Sequence, residues 1–126
     1  MKYLYIGLAL MVGMLASSLL CLWQVCRSTE EITIALNQAV EACDQENLPR
    51  AMERAEQAER LWQSRSGFLC SLLDHAETDE IQWGFSDIHS YASVDDIGEV
   101  RVHCAKVRSM VQHLKEMELP YYFNLL

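Results

Sequence analysis

The sequence predicts an all-α chain, an N-terminal transmembrane helix followed by an up-and-down bundle of four helices. Three observations carry this. Residues 4–23, LYIGLALMVGMLASSLLCLW, run for twenty positions without a charge. Beyond them the apolar residues recur at helical spacing, and no stretch alternates with the period of two that a half-buried strand requires. The breaks in that pattern are short, at residues 47–48, 76–78 and 92–94, which forces neighbouring helices to run antiparallel or sharply angled.

The charge-free run is the length of a membrane crossing, since twenty residues at about 1.5 Å each span roughly 30 Å of hydrocarbon. Tyr3, Tyr5 and Trp23 stand at its two ends, where an interfacial aromatic belt is expected. A cleaved signal peptide is the competing reading, because Ala16, Ser17 and Ser18 are small. The apolar run nevertheless continues past them through Leu19, Leu20, Leu22 and Trp23, longer than the apolar core of a signal peptide. Residues 1–27 are therefore expected to be an uncleaved, single-pass anchor. Lys2 and the α-amino group precede the span and Arg27 follows it, so the positive charge favours an N-terminus inside the cytoplasmic membrane and a body outside.

From Arg27 onward the chain carries 9 Lys and Arg against 18 Asp and Glu, a net charge of −9. Nucleic acid is disfavoured as a partner, because phosphate recognition needs a basic patch. An acidic body suits a solvated domain standing off the bilayer. Of the five cysteines, Cys21 and Cys26 lie in or beside the span, and Cys43, Cys70 and Cys104 lie in the body without CxxC spacing. Three cannot all pair, and each falls on an apolar helical stripe, so they read as buried, reduced thiols.

Residues 28–119 are expected to form the bundle. The first soluble helix covers about Ser28 to Glu46, with Ile32, Leu36, Ala39, Val40 and Cys43 on one face. No Gly or Pro interrupts Ala16–Leu48, so the membrane helix can continue into it; Ser28 with Glu31 also fits a capping box that would break the helix there. Both readings stand at this point. Asn47-Leu48-Pro49 is a firm stop, and proline suits a first helical turn. The second helix then runs to Asp74 or His75 with Met52, Ala55, Ala58, Trp62, Leu69, Leu72 and Leu73 inward. A short third helix, about Asp79 to Tyr91, presents Ile81, Phe85, Ile88 and Tyr91, with Thr78 as its N-cap. Ser93 is expected to cap the fourth, which carries Ile97, Val100, Cys104, Val107, Val111 and Leu114 until Pro120 ends the helical part.

One stretch invites a chemical reading. Asp74 to Glu80 packs a histidine, two aspartates and two glutamates into seven positions. Asp79 and Glu80 would fall in the first turn of the third helix, and His75 at the C-terminal end of the second, where the helix dipole favours them. No HxxxH, HExxH or EF-hand spacing is present, and His89, His103 and His113 fall on separate turns. The expectation is a structural corner made with Trp62, Asp74 and His75, with no metal and no cofactor. No GxSxG, phosphate-binding glycine loop or dinucleotide fingerprint occurs either, so catalysis is not expected. Trp62 and Trp83 read as core or corner packing. The tail, residues 120–126, is read as an interaction or packing segment, because Tyr121, Tyr122, Phe123, Leu125 and Leu126 are too apolar for a free end.

The "LW" ending at Trp62, "FLCSLLDH" six residues on, the acidic "ETDEI" and the closing "YYFNLL" resemble a known family. It is the group of small membrane-anchored proteins called domain of unknown function 4363, found in spore-forming, mostly anaerobic Gram-positive bacteria. The resemblance implies an envelope location, a helical bundle and another membrane or envelope protein as partner, and it assigns no functional residue. The expected role is that of a non-catalytic accessory or scaffold domain. The alternative is a sensor or small-ligand module, whose mark would be a pocket between the helices lined by Trp62 or His75.

Overall fold

The computed structural model describes the backbone of residues 1–69 and 75–124, and the side chains of 1–67 and 75–116. Four helices occupy it: α1 Lys2–Asp44, α2 Leu48–Leu69, α3 His75–Ser93 and α4 Ile97–Asn124. Among the described residues no strand occurs.

The membrane run and the first bundle helix are one continuous helix of 43 residues. The hydroxyls that might have broken it are turned back onto its own carbonyls. Ser28 Oγ donates to the Gln24 carbonyl at 2.7 Å, Thr29 Oγ1 to Val25 at 3.1 Å, and Thr33 Oγ1 to Thr29 at 2.7 Å. A serine spent this way cannot cap a helix start, and Glu31 instead pairs with Arg27 Nε at 3.4 Å. Inside the apolar run, Ser17 and Ser18 do the same to Gly13 and Met14, at 2.7 and 2.9 Å. That satisfies both serine hydroxyls where lipid would surround them. The apolar window of α1 is long enough to cross a membrane, and none of it is buried by the rest of the chain.

From Val25 on, α1 belongs to the bundle. Nine of its ten buried positions repeat every seven residues in three columns, Val25, Ile32 and Ala39; Ser28, Ala35 and Ala42; Thr29, Leu36 and Cys43; Val40 is the tenth. This breadth lets one helix pack on two neighbours, α2 and α4. α2 contributes three small buried side chains, Ala51, Ala55 and Ala58, and one large one, Trp62. α4 contributes Val100, Cys104, Val107, Val111 and Leu114, and α3 contributes Ile81, Phe85 and Ile88. α3 packs chiefly on α4, and among the described residues the α2–α3 seam is much thinner. At Gly84 the close approach of α3 and α4 is visible: a Cβ there would lie 2.5 Å from Val107 Cγ2 and 3.3 Å from Met110 Cε.

Two corners share one device. At the end of α1, Glu46 takes a left-handed conformation (φ 57°), its N–H donates to the Cys43 carbonyl, and the Asn47 N–H donates to Ala42. At the end of α3, Asp95 (φ 55°) donates to Ala92 and the Asp96 N–H donates to Tyr91. Each is a Schellman turn, and in each the next residue caps the following helix at once. The Arg50 N–H donates to Asn47 Oδ1 and the Glu99 N–H to Asp96 Oδ1, both at 3.2 Å. A non-glycine residue in that conformation costs about 1–2 kcal/mol. Glu46→Gly is therefore expected to raise bundle stability by about 0.5–1 kcal/mol, the looser unfolded chain offsetting part of the relief. A urea titration that showed a lower midpoint would contradict it.

Several expected boundaries are corrected. The third helix starts at His75, four residues earlier than anticipated, so Thr78 is not its cap. Thr78 is a buried interior residue whose Oγ1 donates to the His75 carbonyl at 2.9 Å. Ser93 is the last residue of α3, donating to the Ser90 carbonyl, and the cap of α4 is Asp96. Finally, α4 does not stop at Pro120 but runs through it to Asn124. Proline removes one donor from the ladder, but extending a helix already formed is far easier than starting one, and the stripe from Val100 to Leu114 has formed it.

Candidate functional site

Of the expected corner, Trp62 and His75 lie among the described residues. Trp62 sits on α2 with 1% of its surface exposed, inside the core. His75 is exposed and belongs to α3, not to α2. Asp74 lies outside the described residues, as do Leu72 and Leu73. Glu77 is the acidic residue in the first turn of α3, with Asp79 and Glu80 following it. Trp62 and His75 therefore occupy different environments, one closed in the core and one in solvent. His75→Gln should lower the thermal midpoint by no more than a few degrees, the usual range for a surface change. Elemental analysis should find the same metal content before and after; stoichiometric zinc lost in the variant would show a site there.

Two of the remaining histidines, His89 and His103, are held apart from one another. His89 Nε2 lies 2.5 Å from Glu59 Oε2, a polar tie across the thin α2–α3 seam. His103 Nδ1 faces the Glu99 carbonyl at 2.9 Å, its ring stacks at 4.7 Å from Tyr91, and Asp87 Oδ2 stands 3.9 Å from Nε2. The Nδ1–H tautomer is the one this geometry selects, with its hydrogen on the Glu99 carbonyl. Among the described residues no group of three or more His, Cys, Asp or Glu is placed to hold a metal ion.

The thiols of the bundle are placed as the apolar stripes require. Cys43 and Cys104 are free and buried. Burial pushes the Cys104 thiol up to about 12, with the nearby Cys43 adding to it. Burial also raises Cys43, helped by the charge of Asp44. Both are neutral thiols at physiological pH, packed as small hydrophobes and not poised as nucleophiles. Cys70 is outside the described residues.

The tail is resolved into two parts. Tyr121, Tyr122 and Phe123 belong to α4, while Leu125 and Leu126 lie outside the described residues. Their height along the bundle follows from two cross-helix ties. Arg101 Nε donates to Asp44 Oδ1 at 2.6 Å, and Arg108 Nη1 to Asn37 Oδ1 at 2.7 Å. Seven residues forward on α4 match seven residues back on α1, so the helices are antiparallel in step. Two further heptads in the same step would put residue 122 level with Trp23, whose ring carries the Arg27 guanidinium 5.2 Å from its centroid.

The feature that sequence reasoning missed is Trp83. It is 65% exposed on α3, not packed in the core or a corner. The helical phase contained the signal, because position 83 lies about 200° around the helix from both Ile81 and Phe85. Beside it runs a trough along the α3–α4 seam. One section, about 340 Å³, is lined by Glu80, Trp83, Gly84, Asp87, Lys106 and Met110. Another, about 330 Å³, is lined by Ala76, Glu77, Glu80, Ile81, Met110, His113 and Leu114. Glu80 and Met110 line both, so the two hollows adjoin along the seam. A separate groove of about 300 Å³ between α1 and α2 is lined by residues that include Glu31, Ile34 and Arg54.

Compared with known protein families, residues 21–125 match the family model described as domain of unknown function (DUF4363). The match starts where the apolar run ends, so the bundle is the part held in common. No curated protein and no solved structure matches the chain.

Proposed function

The chain belongs to the family of domain of unknown function 4363, and from that premise we propose a single-pass anchored bundle that serves another envelope protein as an accessory or scaffold. It performs no catalysis of its own. The observation that carries this reading is the unbroken α1, which passes from the apolar run into the bundle core without a joint. A helix of that length is about 65 Å long. Once its first part spans the bilayer, the bundle stands at a fixed height above it. Catalysis does not call for such a mounting, whereas presenting a binding face to a membrane neighbour does.

Orientation follows from the charges that flank the span, with Lys2 and the amino terminus inside and the acidic bundle outside the cytoplasmic membrane. The end of α4, level with Trp23, brings Tyr121, Tyr122 and Phe123 to the headgroup layer, a favourable place for tyrosine. The ligand-sensor alternative needs a pocket around Trp62 or His75. Trp62 lies in the closed core and the grooves run along the surface, which favours docking of a protein over enclosure of a small molecule.

The test is crosslinking of the full-length protein in its native membranes, followed by mass spectrometry. The expected result is one membrane or envelope protein recovered repeatedly, through crosslinks to residues 48–116. Recovery of nothing but lipid or unlinked chain would end this reading.

A further inference from the structure

Resting on that reading, we propose that the α3–α4 face around Trp83 is the docking surface, and that its occupant is a basic amphipathic helix of the partner protein. An Arg or Lys of that helix lies over the indole of Trp83 between the carboxylates of Glu80 and Asp87. Its apolar side chains enter the trough over Met110.

The recognition chemistry is laid out on one helix. Glu80, Trp83 and Asp87 follow one another at three and four residues, so they share a strip of α3. A cation placed on an aromatic face gains from the ring's quadrupole, and flanking carboxylates add charge-assisted hydrogen bonds. Trp83 is 65% exposed and the Asp87 side chain 54%, so both are open to a partner. Tryptophan is also among the residue types enriched at the few positions that dominate protein interfaces.

Charge chooses the occupant. α3 carries Glu77, Asp79, Glu80 and Asp87 and has no Lys or Arg. The groove wall thus has an acidic rim, to which α4 adds one ammonium, Lys106. A second copy of this chain is disfavoured, because its body carries a net charge of −9 from Arg27 onward and like charges would meet. The chain's own C-terminal segment is also disfavoured, because residues up to Asn124 continue α4 and do not turn back onto it. A trough flanked by two helices is the shape into which a third helix lays its apolar face.

The experiment places a photo-crosslinking benzoylphenylalanine at position 83 of the full-length chain in its native membranes, with a control at Gln63 on α2. Adducts at 83 to a protein segment rich in Lys and Arg, lost when Glu80→Lys and Asp87→Lys are combined, are the expected result. Trp83→Ala should lower recovery of that protein by conventional crosslinking by about tenfold or more, while Trp83→Phe retains part of it. The circular dichroism midpoint should stay put in all three, because the residues are on the surface. If position 63 captures a protein and position 83 does not, the docking face is wrong and the accessory role stands. If neither captures a protein, both fail. Adducts at 83 to a second copy, to lipid or to an acidic segment would also overturn the proposal.

Discussion

Trp62→Ala should cost the bundle a large share of its stability. Trp62 is among the largest fully buried side chains and sits where α2 no longer presents alanines to its neighbours. Truncating a buried tryptophan costs about 3–5 kcal/mol, from lost transfer energy and the cavity left behind. Small domains are stable by about 5–15 kcal/mol, so this change consumes a large share. A shift of about 4–8 °C per kcal/mol is usual at this size, which predicts a thermal midpoint lower by roughly 15–30 °C. Trp62→Phe should keep most of the midpoint, since it preserves ring volume in the same space. A drop of only a few degrees for the alanine variant would mean that Trp62 is not the packing centre it appears from its burial.

The second large effect is at Gly84. A methyl group there would meet Val107 Cγ2 at 2.5 Å, a branched side chain that is itself fully buried and has nowhere to go. Gly84→Ala sets two terms against each other. Helix propensity gains about 1 kcal/mol, and overpacking costs about 1–3 kcal/mol. The net result is a modest loss, largest if α4 cannot shift. Gly84→Val adds two further methyls to the same seam and loses the propensity advantage, so a loss of about 3 kcal/mol or more is expected. The mechanism can be isolated by combining Gly84→Ala with Val107→Ala. If the clash is the cause, the double variant is more stable than the sum of the single losses, with a coupling of about 0.5–3 kcal/mol in a urea titration. Strict additivity would point away from this contact.

What the sequence made legible was the packing. The helical apolar period placed Leu36, Val40, Ala55, Trp62, Phe85, Ile88, Val100, Cys104, Val107 and Leu114 in the core, because burial follows helical phase and phase is written in the order of residues. Helix ends were harder to read. Ser28 with Glu31, Thr78 and Ser93 each carry the side chain of a cap, but a hydroxyl donates equally well to the carbonyl a turn behind it. Which bond forms depends on whether the helix is already running, and at all three positions it is. Asp96 and Asn47 do cap, and each follows a left-handed residue that no local rule required to be glutamate or aspartate. Pro120 was read as a stop because its local cost is real, and the helix behind it carries the chain through. The candidate site was the least legible part. Clustered acids and a histidine drew attention to residues 74–80, whereas exposure singled out Trp83, three residues further on. A phase argument strict enough to bury Ile81 and Phe85 would have left Trp83 facing out.

The unbroken α1 has one more consequence, which is rotational. An α-helix turns by about 100° per residue, so a bundle built onto the end of a membrane helix also has a compass heading. One residue inserted between Trp23 and Gln24, ahead of the first buried bundle position at Val25, would swing the bundle by about 100° about the α1 axis and lift it by about 1.5 Å. Seven would return it to within about 20° of its original heading, and eighteen would complete about five full turns. Insertions of increasing length thus sample bearings in the plane of the bilayer while leaving every bundle contact in place. A neighbour able to meet this protein from any side would tolerate them all, and one that must meet it from a single side would recover with the period of the helix.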